Sequence, residues 1–351
     1  MRQYILSALF MVVLGAIVSC ENQEFDYTDY EYQSVYFPYQ YPVRTLSLGN
    51  DAIDNSLDKK HRFHIGINVG GLYAENPRDW RVDFQLDEAL VVDYLVNGTG
   101  DTLMPMPEEY YTLTPDEFVT IPQEAFSGLI EVQLCDSFFN DSISITGQYV
   151  IPLKITDTDA DTILSGKPAG GVSDPNPHVA THWDGGILYP KDYTLFAVKY
   201  VNPYHGKWLR RSTIYVYDAP DGNLTDTIEI RNDHIERDQV VGFETTGLTT
   251  ASSNYLGNLE GDRFEIEVDS QNHDIALRSI PGSMILANGT GEYIEYTDEI
   301  EQWGGKYRDA LYLKYSYVNV NDALYYEVFD TLVFRDRQIK MEDARPLFVE
   351  P

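Results

Sequence analysis

Tyr193-Thr-Leu-Phe-Ala-Val-Lys-Tyr200, Val-Asn-Pro-Tyr-His-Gly206 and Lys207-Trp-Leu-Arg-Arg-Ser-Thr-Ile-Tyr-Val-Tyr-Asp218 form the stretch that decides the fold. Phe196, Val198 and Tyr200 alternate with other residues, as do Ile214 and Val216, and an Asn-Pro and His-Gly break separates the two runs. The period of two predicts strand, turn, strand. On this reading the stretch is the opening hairpin of a C-terminal sheet, with Trp208 in its core.

Downstream the same pattern continues. Arg263-Phe-Glu-Ile-Glu-Val-Asp269 puts Phe264, Ile266 and Val268 on one face and Glu265, Glu267 and Asp269 on the other, as in an antiparallel strand wet on one side. Further runs at 224–230, 239–243, 275–280, 293–296, 310–318 and 325–334 show no helical period. Many short strands in sequence predict an antiparallel meander, which at eight or more strands can close into a barrel and remove its edges.

Upstream, 34–163 also reads as β, with alternation at 62–69, 80–86, 118–121, 129–134 and 148–155 and turn signals at Gly70-Gly71 and Asn76-Pro77. This predicts an immunoglobulin-like β-sandwich in which Pro122 and Pro152 mark edge or interrupted strands. The Gly/Pro-rich segment 164–190 reads as the boundary to a C-terminal domain over 191–351.

The N-terminus predicts export. Arg2 precedes an apolar run from Tyr4 to Val18 that ends in Ile17-Val-Ser-Cys20. Residues 1–19 read as a signal peptide, and 20–33 as an anchor cysteine with an acidic tether. The only other cysteine is Cys135, so lipidation of Cys20 leaves no intramolecular disulfide.

Composition narrows the function. The 56 acidic and 25 basic residues give a formal charge of −31, which opposes binding to nucleic acid and leaves a lipid anchor as the only predicted route to a membrane. No Gly-x-Ser-x-Gly or phosphate-binding glycine loop occurs, and no Asp or Glu pair stands out, so the chain is expected not to be an enzyme and to need no cofactor. Asp157, Asp159 and Asp161 only imitate the start of a calcium loop, and His178 and His182 have zinc-like spacing without a helix, so no metal is expected.

Sugars stack on exposed aromatic rings and hydrogen-bond to carboxylates and amides. Two loops offer that combination. One holds Trp183 and Asp184 before Gly185-Gly186, and the other Gln302, Trp303 and Tyr307 around Gly304-Gly305. Each tryptophan either presents a ring to a sugar or plugs a domain interface or barrel end.

Ile17-Val-Ser-Cys20 resembles a bacterial lipobox, and the acidic segment behind it is similar to the surface-export signal of Bacteroidetes lipoproteins. Together with Lys199-Tyr-Val-Asn-Pro-Tyr-His-Gly-Lys-Trp208 and Asp330-Thr-Leu-Val-Phe-Arg-Asp-Arg337, the chain resembles a two-domain family of Bacteroidetes surface lipoproteins. Its N-terminal module of unknown function also precedes endoglycosidase and lectin-like modules in polysaccharide-utilisation systems. The resemblance implies a cell-surface, outer-membrane protein that binds polysaccharide or oligosaccharide beside an outer-membrane transporter and glycan-degrading enzymes. An adhesin or structural protein-binding subunit is the alternative, and a glycosidase a third. Gly206-Lys207-Trp208 is also similar to the Gly-x-Trp of lipocalin-type barrels.

Overall fold

The computed structural model describes residues 28–51, 53–92, 95–186, 189–340, 342–343 and 347–348. The expected signal segment 1–19 and Cys20 lie outside the described residues. The fold is all-β, with two curled sheets followed by a closed eight-stranded antiparallel barrel.

The two sheets of the first domain enclose one apolar core. One has the strand order Thr162–Ile163, Ser34–Tyr36, Arg62–Gly70, Ser127–Leu134, Tyr111–Thr114. The other runs Glu342–Asp343, Pro42–Ser47, Tyr193–Val201, Tyr149–Thr158, Trp80–Leu86, Phe118–Ile121. Alternation builds the core. Phe63, Ile65, Ile67 and Val69 point inward from one sheet and meet Val82, Phe84, Ile151 and Leu153 of the other.

Pro122 follows the edge strand Phe118–Ile121, as expected. Pro152 instead occupies a strand paired on both sides. Its carbonyl accepts from the Asp87 N–H at 2.9 Å, and its nitrogen faces the gap between the short parallel pairing with Met104–Pro105 and the start of the pairing with Leu86. No ladder N–H is required there, which makes proline tolerable.

Tyr193–Val201 does not pair with the strand that follows it, and this corrects the hairpin expected at 193–218. It lies antiparallel to Val150–Lys154 and parallel to Val43–Ser47, in the middle of a first-domain sheet. The reason is burial on both faces. Val198 and Tyr200 join the sandwich core, while Tyr193, Leu195 and Ala197 pack with Leu90, Leu95 and Leu103 on the opposite side. A strand buried on both faces belongs in a sheet centre, not in a half-wet hairpin. The described residues 164–186 and 189–190 therefore lead into this strand, and the chain crosses to the barrel at 202–205.

The barrel is closed by Gly206–Tyr217 pairing along its length with Leu324–Asp336. Leu224–Ile230 pairs with the outer half of Gly206–Tyr217 as an exposed flap. The inward rows are Trp208, Arg210, Ser212, Ile214 and Val216 on one closing strand and Tyr326, Val328, Asp330, Leu332 and Phe334 on the other. Side chains fill the interior. Arg210 and Asp330 pair at 2.8 Å with side chains 1% and 0% exposed. Arg210 also donates to Gln239 Oε1, the Gly257 carbonyl and Ser212 Oγ, and Tyr255 and Tyr315 donate to Asp330 Oδ2 at 2.9 and 3.0 Å.

At the crossing, Asn202 Nδ2 donates to the Gly247 and Thr250 carbonyls, and its Oδ1 accepts from the Tyr204 and His205 N–H groups. Arg337 is buried beside it. It donates to the carbonyls of Asn50, Pro203 and His205, and its Nη2 lies 3.5 Å from Asp309 Oδ2. One guanidinium thus touches the first domain, the crossing and the barrel. Beyond it, Glu342–Asp343 returns to pair with Pro42–Val43, and Leu347–Phe348 with Leu95–Val96.

Removing one partner of a fully buried ion pair leaves an uncompensated charge, so Asp330→Ala should lose about 3–5 kcal/mol in urea denaturation. The double variant Arg210→Met/Asp330→Leu should recover most of that loss. A second expectation concerns pH. Burial, helped by Arg337, Lys199 and Lys207, pushes His205 down from 6.5 to about 4. The unfolded chain takes up this proton near its ordinary pKa while the folded protein resists it. The stability held by neutral His205 is therefore complete above pH 6.5 and drains as pH falls towards about 4. His205→Asn should flatten that part of the stability–pH curve measured by thermal unfolding.

Candidate functional site

Gln302–Trp303 and Lys306–Tyr307 pair as a minimal hairpin through Gly304 (φ 60°) and Gly305 (φ 73°). Two consecutive left-handed residues are what a tight type I′ turn demands, and glycine supplies them without strain. The hairpin stands at one end of the barrel. Its base is fixed by the Trp303 indole N–H, which donates to the Phe334 carbonyl at 2.8 Å, and by the Arg308 N–H, which donates to the Glu301 carbonyl at 2.9 Å. Trp303 is half-buried, and the Arg308 guanidinium lies over its ring at 4.7 Å. The tryptophan is a platform for arginine.

Tyr307 and Tyr296 remain 41% and 40% exposed beside it, so their rings are open to a ligand. They line a cleft of about 640 Å³ together with Lys306, Arg308 and Arg335, and Asn50 and Asp51 of the first domain form its other wall. Asp309 supports the floor: its Oδ1 accepts the Tyr296 N–H at 2.9 Å, and burial raises its carboxyl above the usual carboxylate range. Two exposed aromatic rings, three cations and several carboxylates around an open groove can hold a hydroxyl-rich ring by its faces and edges.

The other predicted loop lies elsewhere. Trp183 is only 6% exposed, and its indole N–H donates to the Asn176 carbonyl at 3.0 Å. That places it as the plug of its own loop and corrects its assignment as a sugar platform, since a ring closed off from solvent cannot stack on a ligand. Asp184 is spent on Lys167 at 2.7 Å. His178 bridges Tyr41 and the Leu90 carbonyl, and His182 accepts the Asn176 N–H, so the two histidines do separate structural work. Asp159 accepts from the Arg81 N–H and Asp161 from the Gln33 N–H. Among the described residues no group of three or more His, Cys, Asp or Glu is placed to hold a metal.

Of the residues expected from sequence, Gln302, Trp303 and Tyr307 share one hairpin, while Trp183 and Asp184 lie in the loop folded on the first domain. Local sequence pattern does not mark Tyr296, Arg308, Arg335, Asn50 and Asp51 as site residues. The available signal was charge: Lys306 and Arg308 flank the tyrosine in a chain with more than twice as many acids as bases.

Comparison with known proteins matches the fold. A solved structure from Bacteroides ovatus, of unknown function, is 32% identical with a TM-score of 0.79, covering 92% of this chain and 100% of that one. The chain belongs to this two-domain family of unknown function. Within the family, an N-terminal-domain model matches 30–162 and the domain of unknown function DUF5627 matches 203–338. The second match begins at the crossing, in keeping with 193–201 as a first-domain strand. Another Bacteroides ovatus structure, provisionally called a carbohydrate binding protein, is 11% identical over 90% of this chain and 99% of that one, with a TM-score of 0.27. No curated protein matches the chain.

Truncating a buried, hydrogen-bonded tryptophan leaves a cavity. Trp183→Ala should cost about 3–5 kcal/mol in chemical denaturation without altering the hairpin at 302–307.

Proposed function

We propose that the protein is a lipid-anchored, outer-membrane surface protein that holds a polysaccharide or oligosaccharide in the cleft between the barrel end and the first domain. The observation that carries this reading is the pair of open rings, Tyr296 and Tyr307, facing a groove edged with cations and carboxylates. A sugar's C–H face lies on such rings while its hydroxyls bond to the polar edge. The lipobox-like Ile17-Val-Ser-Cys20 supports anchoring through Cys20, and the acidic tether behind it supports display at the cell surface. On this reading the protein retains glycan near a transporter and degrading enzymes and does not cleave it.

The protein-binding alternative draws on one feature, the exposed strand Leu224–Ile230, which has the barrel on one edge only. Unpaired edges template strand addition. Asp226 and Glu229 on that strand oppose it, since edge charges are a common guard against such pairing.

Tyr307 is the better probe than Trp303, whose indole is tied to Phe334. Tyr307→Ala should weaken retention in affinity electrophoresis about tenfold, the scale of one lost aromatic stack, with an unchanged melting temperature. Full retention by the Tyr296→Ala/Tyr307→Ala double variant would move the ligand away from this cleft.

A further inference from the structure

Arg308 is held in an unusual way. Its guanidinium rests over the Trp303 ring at 4.7 Å, its Nε is buried without an acceptor, and among the described residues its side chain forms no hydrogen bond or ion pair. Stacking uses the flat face of a guanidinium and leaves its outer N–H edge free, in the fork geometry that carboxylates and sulfates accept in pairs. Lys306, two residues away and exposed, likewise has no ion pair among the described residues.

The acids in the cleft do not cancel these charges evenly. Asp336 lies 3.5 Å from Arg335, and Asp51 interacts with the buried Arg337. Glu299 is the remaining carboxylate of the wall, against Lys306 and Arg308. In a chain of formal charge −31 the background field repels anions, so a patch whose cations are left unpaired is the place where an anion can be tolerated. A neutral glycan would gain little from such an arrangement.

We propose that the ligand of this cleft is an anionic saccharide, with a carboxylate or sulfate group taken by Arg308 and Lys306 while its ring lies on Tyr307. This rests on the glycan-binding reading of the same site and adds its charge class. Uronic acids and sulfated sugars present the same chemistry to the guanidinium edge, and the experiment separates them.

The test uses the full mature chain in affinity electrophoresis against polygalacturonate, a sulfated galactan and a neutral galactan, each at low and high salt. The expected result is retention by at least one anionic probe that weakens about tenfold or more in Lys306→Gln/Arg308→Gln and falls with salt, since screening lengths shrink from about 8 Å at physiological ionic strength to about 3 Å at 1 M. Arg308→Lys, which keeps the charge and loses the fork, should be intermediate. Melting temperatures should change little, because among the described residues neither side chain carries a hydrogen bond or ion pair and only the Arg308 stacking on Trp303 is lost. If the neutral galactan is retained as well as the others and the double variant changes nothing, while Tyr307→Ala still weakens retention, the charge assignment is overturned and the cleft reading stands. Retention of no probe, or retention unaffected by Tyr307→Ala, overturns both.

Discussion

The Arg210–Asp330 pair sits where the barrel closes, and the second domain is arranged around it. Taking two charges out of water costs several kcal/mol per ion unless every donor and acceptor is met. Here the guanidinium reaches Asp330, Ser212, Gln239 and the Gly257 carbonyl, and the carboxylate is met again by Tyr255 and Tyr315. These partners come from barrel strands and from the small hairpin of Tyr255–Leu256 and Leu259–Glu260, so the network is satisfied only in one register of closure. A slip of the Gly206–Tyr217 strand by one residue would turn Arg210 outward, bring Arg211 inside and leave Asp330 buried without its partner. The same network fills the barrel interior, which leaves loops at the barrel end as the place for a ligand.

A second buried arginine fixes how the two domains meet. Arg337 draws the Asn50 loop, the crossing at Pro203 and His205, and Asp309 of the barrel onto one guanidinium. Gly49 is obligatory beside it, because a Cβ there would fall 2.5 Å from the Arg337 Cζ. The cleft exists because of this junction. Asn50 and Asp51 follow directly from the pinned glycine, and Phe334, Arg335 and Asp336 precede the pinning arginine. Disturbing Arg337 would therefore alter both domain placement and the shape of the groove.

The candidate site was partly legible. Gly304-Gly305 announced a tight turn and placed Trp303 and Tyr307 in a loop, and the structure keeps them together in one hairpin. The roles of the two rings differ from what residue type suggests. Trp303 has an N–H donor and a broad face, so it becomes a bonded platform under Arg308, while Tyr307 stays open. At Trp183 the same signal, a tryptophan before paired glycines, led to a buried plug, because the loop folds back on Asn176. Local composition describes what a loop can adopt but not which surface it will meet.

The sequence by itself determined the all-β class, the alternating faces of strands such as Phe264–Val268, and the presence of a barrel-forming meander, because a period of two is a local property of the chain. Only the tertiary structure decided that Tyr193–Val201 belongs to the first domain, that the C-terminal strands return to it, and that Asn50 and Asp51 face Lys306 and Arg308 across a cleft. Those outcomes depend on contacts between segments far apart in the chain, such as Tyr193–Val201 with Val43–Ser47 and Glu342–Asp343 with Pro42–Val43. Many registers satisfy the same local pattern there, and burial of both faces together with the hydrogen-bonding demands of two buried arginines selects one.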